Sequence, residues 1–364
     1  MTNINKKFIN NNSISLDYIA GFVHAYGTFT APLIKGKKKI YINPRFILTE
    51  NSEYKYHLNL IKKELDNIGN IEENKSSKII KYTITNLDDL NNKILPIFNK
   101  HQVRGNRYYS YLKFKLLIKI LKYEYIEYKS DLWLFCILLT TKINPNVSLN
   151  KQINYLSLEE QNIIKSNKIP KGINIENLIK LYCPELESID LLNNKSEVNN
   201  SQPLTKEFIN GLFDGNGSLS LRLSPIKNNK LGFKVAFKII QDDLNDHILK
   251  ELLKFFNNKG SIIKHKTEKN ISYLCYNRTE LINNIIPNML NIKNLLNSNI
   301  DWYNIKGPNI KLYKLYNFIE ICKLLENNNL NDTNILDKVI LLIYNTKKNS
   351  AGLTYNQFKE NLLK

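Results

Sequence analysis

Four side chains of types that could do chemistry sit near the ends of two apolar, glycine-terminated segments. His24 and Tyr26 lie in the first, Asp214 and Asn216 in the second. His24 and Asp214 read either as an acid–base pair or as two polar residues that hydrogen-bond near a helix end. Elsewhere the reactive types are scattered. Cys136, Cys183, Cys275 and Cys322 have no paired spacing, and with the five histidines they form no ligand pattern. Neither a zinc site nor a disulfide framework is predicted, and no cofactor.

The second chemistry is the binding of polyanions. Lys35, Lys37, Lys38 and Lys39 crowd one predicted hairpin tip, and Lys227 and Lys230 lie in the matching loop further on. Arg45, Lys81, Arg222, Lys234, Lys238, Lys264, Lys266 and Arg278 lie on or beside predicted strands. If they share one face, each could neutralise a phosphate and release a counterion, which makes binding strongly salt-dependent. Singly, each also reads as a plain surface charge. Arg104 and Arg107 are followed by Tyr108, Tyr109, Tyr111, Lys113 and Lys115. That mixture suits stacking on unpaired RNA bases, and it equally suits an amphipathic helix whose tyrosines pack on a core.

The whole chain agrees with a polyanionic partner. Its 364 residues carry 52 Lys+Arg against 33 Asp+Glu, a formal charge of +19. With 43% hydrophobic residues the chain can bury real cores, so wholesale disorder is excluded. The longest apolar run, Leu132–Leu139, is far shorter than the ~20 residues of a spanning helix, so no membrane partner is predicted. Met1–Ser15 has no apolar core of a secretory signal and no arginine. Only five basic residues are arginine; this bias, with abundant Asn, Ile, Lys and Tyr, resembles translation from an AT-rich gene.

An internal repeat supplies the elements that must position these residues. Tyr18–Phe29 matches Phe208–Leu219 at an offset of 190. After one inserted residue the offset is 191, pairing Phe46 with Phe237, Gly69 with Gly260, Tyr82 with Tyr273, Asn86 with Asn277, Leu90 with Leu281 and Pro96 with Pro287. Two copies of one unit follow. Each opens with an apolar helix, Leu16–Tyr26 or Lys206–Asn216. A positive-φ glycine, Gly27 or Gly217, is expected to turn the chain there. Leu219, Leu221 and Leu223 then alternate with polar residues, and so do Phe233, Val235, Phe237 and Ile239. The predicted order is αββαββα in each copy, with one sheet face covered by helices and the other open to a ligand. The domain reading is 1–105 for the first repeat, 106–190 for a helical extension and 191–203 for an Asn-rich linker. The second repeat takes 204–310, and a helical tail takes 311–364, with Thr354 as the N-cap of its last helix.

The segments Ile19–Gly27 and Ile209–Gly217 resemble the LAGLIDADG motif of homing endonucleases and intron maturases, in the single-chain form that carries it twice. The resemblance implies an α+β fold of two pseudo-symmetric αββαββα domains whose sheets form a β-saddle on a duplex, a pseudo-dimeric monomer. It implies motif helices packed together through the small residues Ala20, Gly21, Ala25, Gly211 and Gly215. In active members the eighth motif position is Asp or Glu, and the two carboxylates hold divalent metals. Here those positions are Tyr26 and Asn216, a neutral hydroxyl and a neutral amide. One His–Asp pair cannot replace two such carboxylates, so no metal is predicted. The expectation is therefore a chain that is not an enzyme but binds structured RNA, either a group I intron as a maturase does or ribosomal RNA in a mitochondrial ribosome. Double-stranded DNA is a further partner, ribosomal or splicing proteins are others, and an active DNA homing endonuclease is the remaining alternative. Composition and family habit together point to a mitochondrial location.

Overall fold

Ser15 and Thr205 each precede an apolar run, and each opens a helix by accepting a backbone N–H three residues on, from Tyr18 at 3.1 Å and from Phe208 at 3.2 Å. The structure is a computed structural model. It describes residues 14–144, 147–187, 191, 202–226, 230–242, 246–265, 270–289, 311–326, 330, 332–347 and 353–363. Lys227, Lys266 and most of the stretch read as a linker lie outside the described residues. The chain divides into two compact units, one over 13–203 and the other over 204–364 with 1–12.

In the first unit helix α1 (Leu16–Tyr26) leads into β1 (Gly27–Thr30), β2 (Leu33–Lys35), β3 (Ile40–Ile42) and β4 (Arg45–Asn51). Helix α2 (Lys55–Glu64), strands β5 (Asn70–Asn74) and β6 (Ile79–Ile84), and a helical stretch α3 over 87–100 complete the repeat. Then come α4 (Gly105–Tyr123), α5 (Asp131–Ile143), α6 (Leu149–Gln152), α7 (Leu158–Lys165) and α8 (Ile175–Tyr182). The second unit has α9 (Lys206–Asn216), β7 (Gly217–Ile226), β8 (Lys230–Asp242), α10 (Asp246–Phe255), β9 (Ser261–Lys264), β10 (Asn270–Cys275) and a helical stretch α11 over 278–289. It ends with α12 (Leu312–Glu326), α13 (Thr333–Lys347) and α14 (Tyr355–Leu363). Thr354 caps the last of these, and Gln357 returns the bond to its backbone.

Each unit holds a four-stranded antiparallel sheet, ordered β1-β4-β6-β5 and β7-β8-β10-β9. The repeat extends to individual hydrogen bonds. Tyr82 Oη donates to Ile68 O at 2.8 Å, and Tyr273 Oη donates to the equivalent Lys259 O at 2.5 Å. Gly69 and Gly260 both take positive φ, +70° and +97°. Asn86 and Asn277 both cap a helix with Oδ1.

The alternating apolar residues face the helices. Phe29 lies 5.3–5.6 Å, centroid to centroid, from Phe46, Phe98, Tyr111 and Phe114, a ring cluster joining β1, β4, α3 and α4. In the second unit Phe213 stacks on Phe237 at 4.9 Å. Each such ring removes a large apolar surface from water, so these clusters contribute strongly to stability.

Two expectations are corrected. Gly27 and Gly217 do not turn the chain through positive φ; their φ values are −73° and −86°, and helix runs straight into strand. Glycine is required by close approach instead. A Cβ would lie 2.7 Å from Val23 O at Gly27, and 2.1 Å from the Phe213 ring at Gly217. The two copies also differ in their first hairpin. β7 and β8 pair without interruption over ten rungs, Gly217–Ile239 to Ile226–Lys230. In the first unit the same hairpin is broken into β1–β4 and a separate ladder β2–β3. Pro32 and Pro44 stand at the breaks, where neither can donate to a ladder. Asn43 N–H donates to Pro32 O at 3.0 Å and carries the pairing across. The inner face of β2–β3, Leu33 and Ile40, packs on Trp133, Leu134, Ile137 and Leu138 of α5 and on Ile153, Leu156 and Ile164 beyond it.

His57 on α2 is buried against α1, its Nε2 2.9 Å from Tyr18 Oη and its ring edge-on to Phe22 at 4.7 Å. Burial lowers its pKa from 6.5 to about 4. The unfolded chain therefore binds the proton more tightly, so stability is intact above pH 6.5 and is lost as pH falls toward 4. At pH 5 the loss is about 2 kcal/mol. Urea denaturation of the natural chain and of His57→Gln at pH 7 and pH 5 should show a smaller pH effect in the variant by about that amount.

Candidate nucleic-acid interface and motif-helix ends

The last turn of a helix leaves carbonyl oxygens without intrahelical donors and carries partial negative charge. Each motif helix meets a cation there. Arg107, in the first turn of α4, donates through Nε to His24 O at 3.2 Å and through its terminal nitrogens to Ala25 O and Gly27 O. Lys311, just before α12, donates through Nζ to Phe213 O at 3.2 Å, Gly215 O at 2.8 Å and Gly217 O at 2.5 Å. The carbonyls of residues 25 and 27 are the repeat equivalents of those of 215 and 217.

The sixth motif position anchors the same returning segment. His24 Nδ1 accepts from Arg104 N–H at 3.4 Å, and Asp214 Oδ1 accepts from Lys311 N–H at 2.9 Å. Both side chains are buried. Of the two readings of His24 and Asp214, hydrogen bonding near a helix end is the one the structure displays. Substituting Arg107 or Lys311 by alanine strands three carbonyls, and the loss should be about 1–3 kcal/mol, read by urea denaturation.

At the eighth position Tyr26 is 39% exposed, and its ring edge meets Phe22 at 5.5 Å. Desolvation raises the Tyr26 pKa, and the nearby Glu50 carboxylate raises it further. Asn216 is half-buried. Glu50 and Gln241, on β4 and β8, are buried and related by the 191-residue offset. Sequence reasoning passed over this pair, although the repeat register contains it. Glu50 is the acidic group whose field reaches Tyr26. Among the described residues no three His, Cys, Asp or Glu side chains gather as a metal site. The residues present do not make the donor set of two helix-end carboxylates.

The open sheet faces collect some of the expected cations. On the first sheet Arg45 and Lys81 share that face with Thr28, Thr30, Ile47, Thr49 and Thr83. On the second, Ser218, Ser220, Arg222, Lys234 and Lys238 line one pocket of about 420 Å³ with His265 and Tyr276. Lys35, Lys37, Lys38 and Lys39 are exposed at the β2–β3 tip, with Lys39 Nζ 5.3 Å from the Tyr41 ring centroid. Other candidates lie elsewhere. Lys264 is opposite Ile271, on the helix-covered side of its sheet, and Arg278 opens α11. Lys230 contributes its backbone to β8. Arg104 is buried and donates to Pro203 O at 3.1 Å, while Arg107 is held at the helix end. Tyr111 and Lys113 are buried, and Lys115 Nζ pairs with Glu185 at 2.8 Å. Arg104, Tyr111, Lys113 and Lys115 of the basic–aromatic segment are therefore turned inward as α4 packs on the core, while Tyr108 and Tyr109 are half-buried. Ala20, Gly21, Gly211 and Gly215 are buried and Ala25 half-buried. All four cysteines are buried and none forms a disulfide.

The sequence profile of the LAGLIDADG endonucleases matches residues 19–118 and 209–307, more than half of the chain and both repeats. The chain belongs to the LAGLIDADG endonuclease family. It is 27% identical over 277 residues to a probable intron-encoded endonuclease 2 of Neurospora crassa, covering 74% of this chain and 54% of that one. The chain thus spans about half the length of that relative. A probable intron-encoded DNA endonuclease 1 of Mycosarcoma maydis is 22% identical over 276 residues, 74% of this chain and 90% of that one. Among solved structures, the I-SmaMI LAGLIDADG homing endonuclease bound to cleaved DNA superposes with a TM-score of 0.68 at 18% identity, covering 93% and 99% of the two chains. I-LtrWI bound to target DNA gives 0.66 at 22% identity, covering 92% and 97%. These likenesses establish the LAGLIDADG fold. The expectation of a chain that is not an enzyme, drawn from Tyr26 and Asn216, is corrected by these findings, since the family and both relatives are endonucleases by name.

No described helix of this LAGLIDADG protein is long and apolar enough to cross a membrane.

Proposed function

We propose that the chain is a DNA endonuclease that seats duplex DNA on the open faces of its two sheets. The observation that carries the reading is the repeated sheet with one helix-covered face and one face of Lys, Arg, Ser and Thr, in both copies of the family's motif. The charge of +19 supplies the long-range attraction. The names of the relatives, and the DNA bound to I-SmaMI and I-LtrWI, support DNA as the partner and cleavage as the activity. Structured RNA is the weaker candidate, because Arg104, Tyr111, Lys113 and Lys115 of the segment suited to base stacking are buried. The intron-encoded relatives and the lysine-biased composition support an organellar gene.

What the chain's own residues contribute is binding and electrostatics. The open-face cations attract the duplex, Arg107 and Lys311 fix the motif-helix ends, and Glu50 keeps a buried carboxylate beside Tyr26. The test pairs two assays on the full chain. Affinity for randomised duplex and for structured RNA is measured against salt, and supercoiled plasmids bearing random inserts are incubated with the chain and magnesium or manganese. Tighter binding to DNA and nicking of a subset of inserts are expected. Preference for RNA together with uncut plasmid would overturn the reading.

A further inference from the structure

We propose that the two sheets select DNA of opposite base composition, G·C-rich where the duplex lies on the second unit's sheet and A·T-rich where it lies on the first unit's. The inference rests on the DNA-binding reading above. Its basis is a divergence between the open faces at repeat-equivalent positions. Ile47 in the first copy is Lys238 in the second, Arg45 is Ala236, and Thr28 and Thr30 are Ser218 and Ser220.

On the second sheet Arg222 and Lys234 are directly opposite each other in the ladder, and Lys238 is opposite Ser218. Like charges facing across a ladder destabilise the pair. Among the described residues, no carboxylate lines the pocket around them. Arg222 Nε is braced on Ser220 Oγ at 3.2 Å, and Lys238 Nζ lies 3.4 Å from His265 Nε2. A cluster of cationic donors whose acceptors within the pocket are only neutral hydroxyls and an imidazole fits a surface rich in acceptors. In the major groove that surface is guanine, whose N7 and O6 are both acceptors.

The first sheet is built for the opposite edge. Its central open-face residues, Thr28, Thr30, Ile47, Thr49 and Thr83, all carry methyl groups. An acceptor stands beside each of its two cations: Lys81 is opposite Glu72 in the ladder, and Arg45 donates to Asn43 when the amide oxygen faces the guanidinium, at 2.7 Å. Threonine methyls and isoleucine pack on the C5-methyl of thymine.

Selection from a randomised duplex pool by the full chain tests this. One stretch of the recovered sites should be G·C-rich and another A·T-rich. Arg222→Gln with Lys234→Gln should lower the guanine preference roughly fivefold to 150-fold per contacted base, in the G·C stretch alone. Ile47→Lys should introduce guanine into the A·T stretch. Uniform composition across the sites, or a guanine preference unmoved by the double variant, would assign those cations to phosphates and overturn the inference. Recovery of no duplex above background would instead overturn the DNA-binding reading on which it rests.

Discussion

Tyr26→Asp combined with Asn216→Asp should raise the rate of DNA cleavage by this chain about a hundredfold or more. The argument starts from the charge at the motif-helix ends. A tyrosine hydroxyl with a pKa raised above 10 is neutral at pH 7, and an amide carbonyl brings no charge. Hard divalent ions favour anionic oxygen, so neither side chain draws them well. Two carboxylates supply the anionic donors that the resemblance implies at these positions. The backbone that would present them is already in place: each helix runs directly into its strand at Gly27 or Gly217, and Arg107 or Lys311 holds the carbonyls at that point. The measurement is single-turnover nicking of a selected duplex with magnesium, repeated with chelator, alongside urea denaturation to show equal stability. The Asn216→Asp single variant should account for more of the gain, because a carboxylate introduced at position 26 would sit in the field of Glu50 and ionise less readily. An unchanged rate in a stably folded double variant would place the cleavage centre away from these helix ends.

Trp133→Ala should destabilise the first unit by about 3–5 kcal/mol. Trp133 is buried, packs edge-on to Tyr128 at 4.9 Å, and belongs to the cluster that supports Leu33 and Ile40. The β2–β3 ladder is three rungs long and cut off from the main sheet by two prolines. A two-stranded ladder of that length has little stability of its own. Loss of the indole should release the hairpin before the sheet, so the amides of residues 33–42 should exchange quickly while those of β4 and β6 stay protected. Hydrogen exchange on the natural and variant chains checks this. The lysine tip, Lys35 to Lys39, would lose its fixed position with the hairpin, and DNA affinity should fall with it.

Much of this architecture was legible from self-similarity. The pairings Gly69–Gly260, Tyr82–Tyr273 and Asn86–Asn277 reappear as two positive-φ glycines, two identical tyrosine bonds and two helix caps, because an offset preserves any feature that depends on local backbone geometry. Alternation of Leu219, Leu221 and Leu223 reported the sheet face for the same reason. Features set by distant contacts were not legible. The reason for glycine at 27 and 217 is a neighbouring turn of the same helix, which composition does not display. Lys113 and Lys115 read as part of a basic–aromatic mixture for base stacking or of an amphipathic helix, until the fold buries both and sets Glu185 beside one of them. Arg104 and Arg107 carry the charge of a binding site, yet their partners are carbonyls some 80–100 residues away in the chain.

The divided hairpin also imposes an order of assembly. Strands β7 and β8 are close neighbours in the chain, so their contacts are available as soon as that segment exists. Leu33 and Ile40 are placed differently. Their partners begin at Trp133 and continue to Ile164, so a loop of about 100 residues must close first. During synthesis the first-made hairpin leaves the ribosome with its apolar side uncovered and waits for α5 to α7. The copy that is translated first is thus bound to mature slowly, and its exposed segment is where a nascent chain of this protein is open to chaperones and to misassembly.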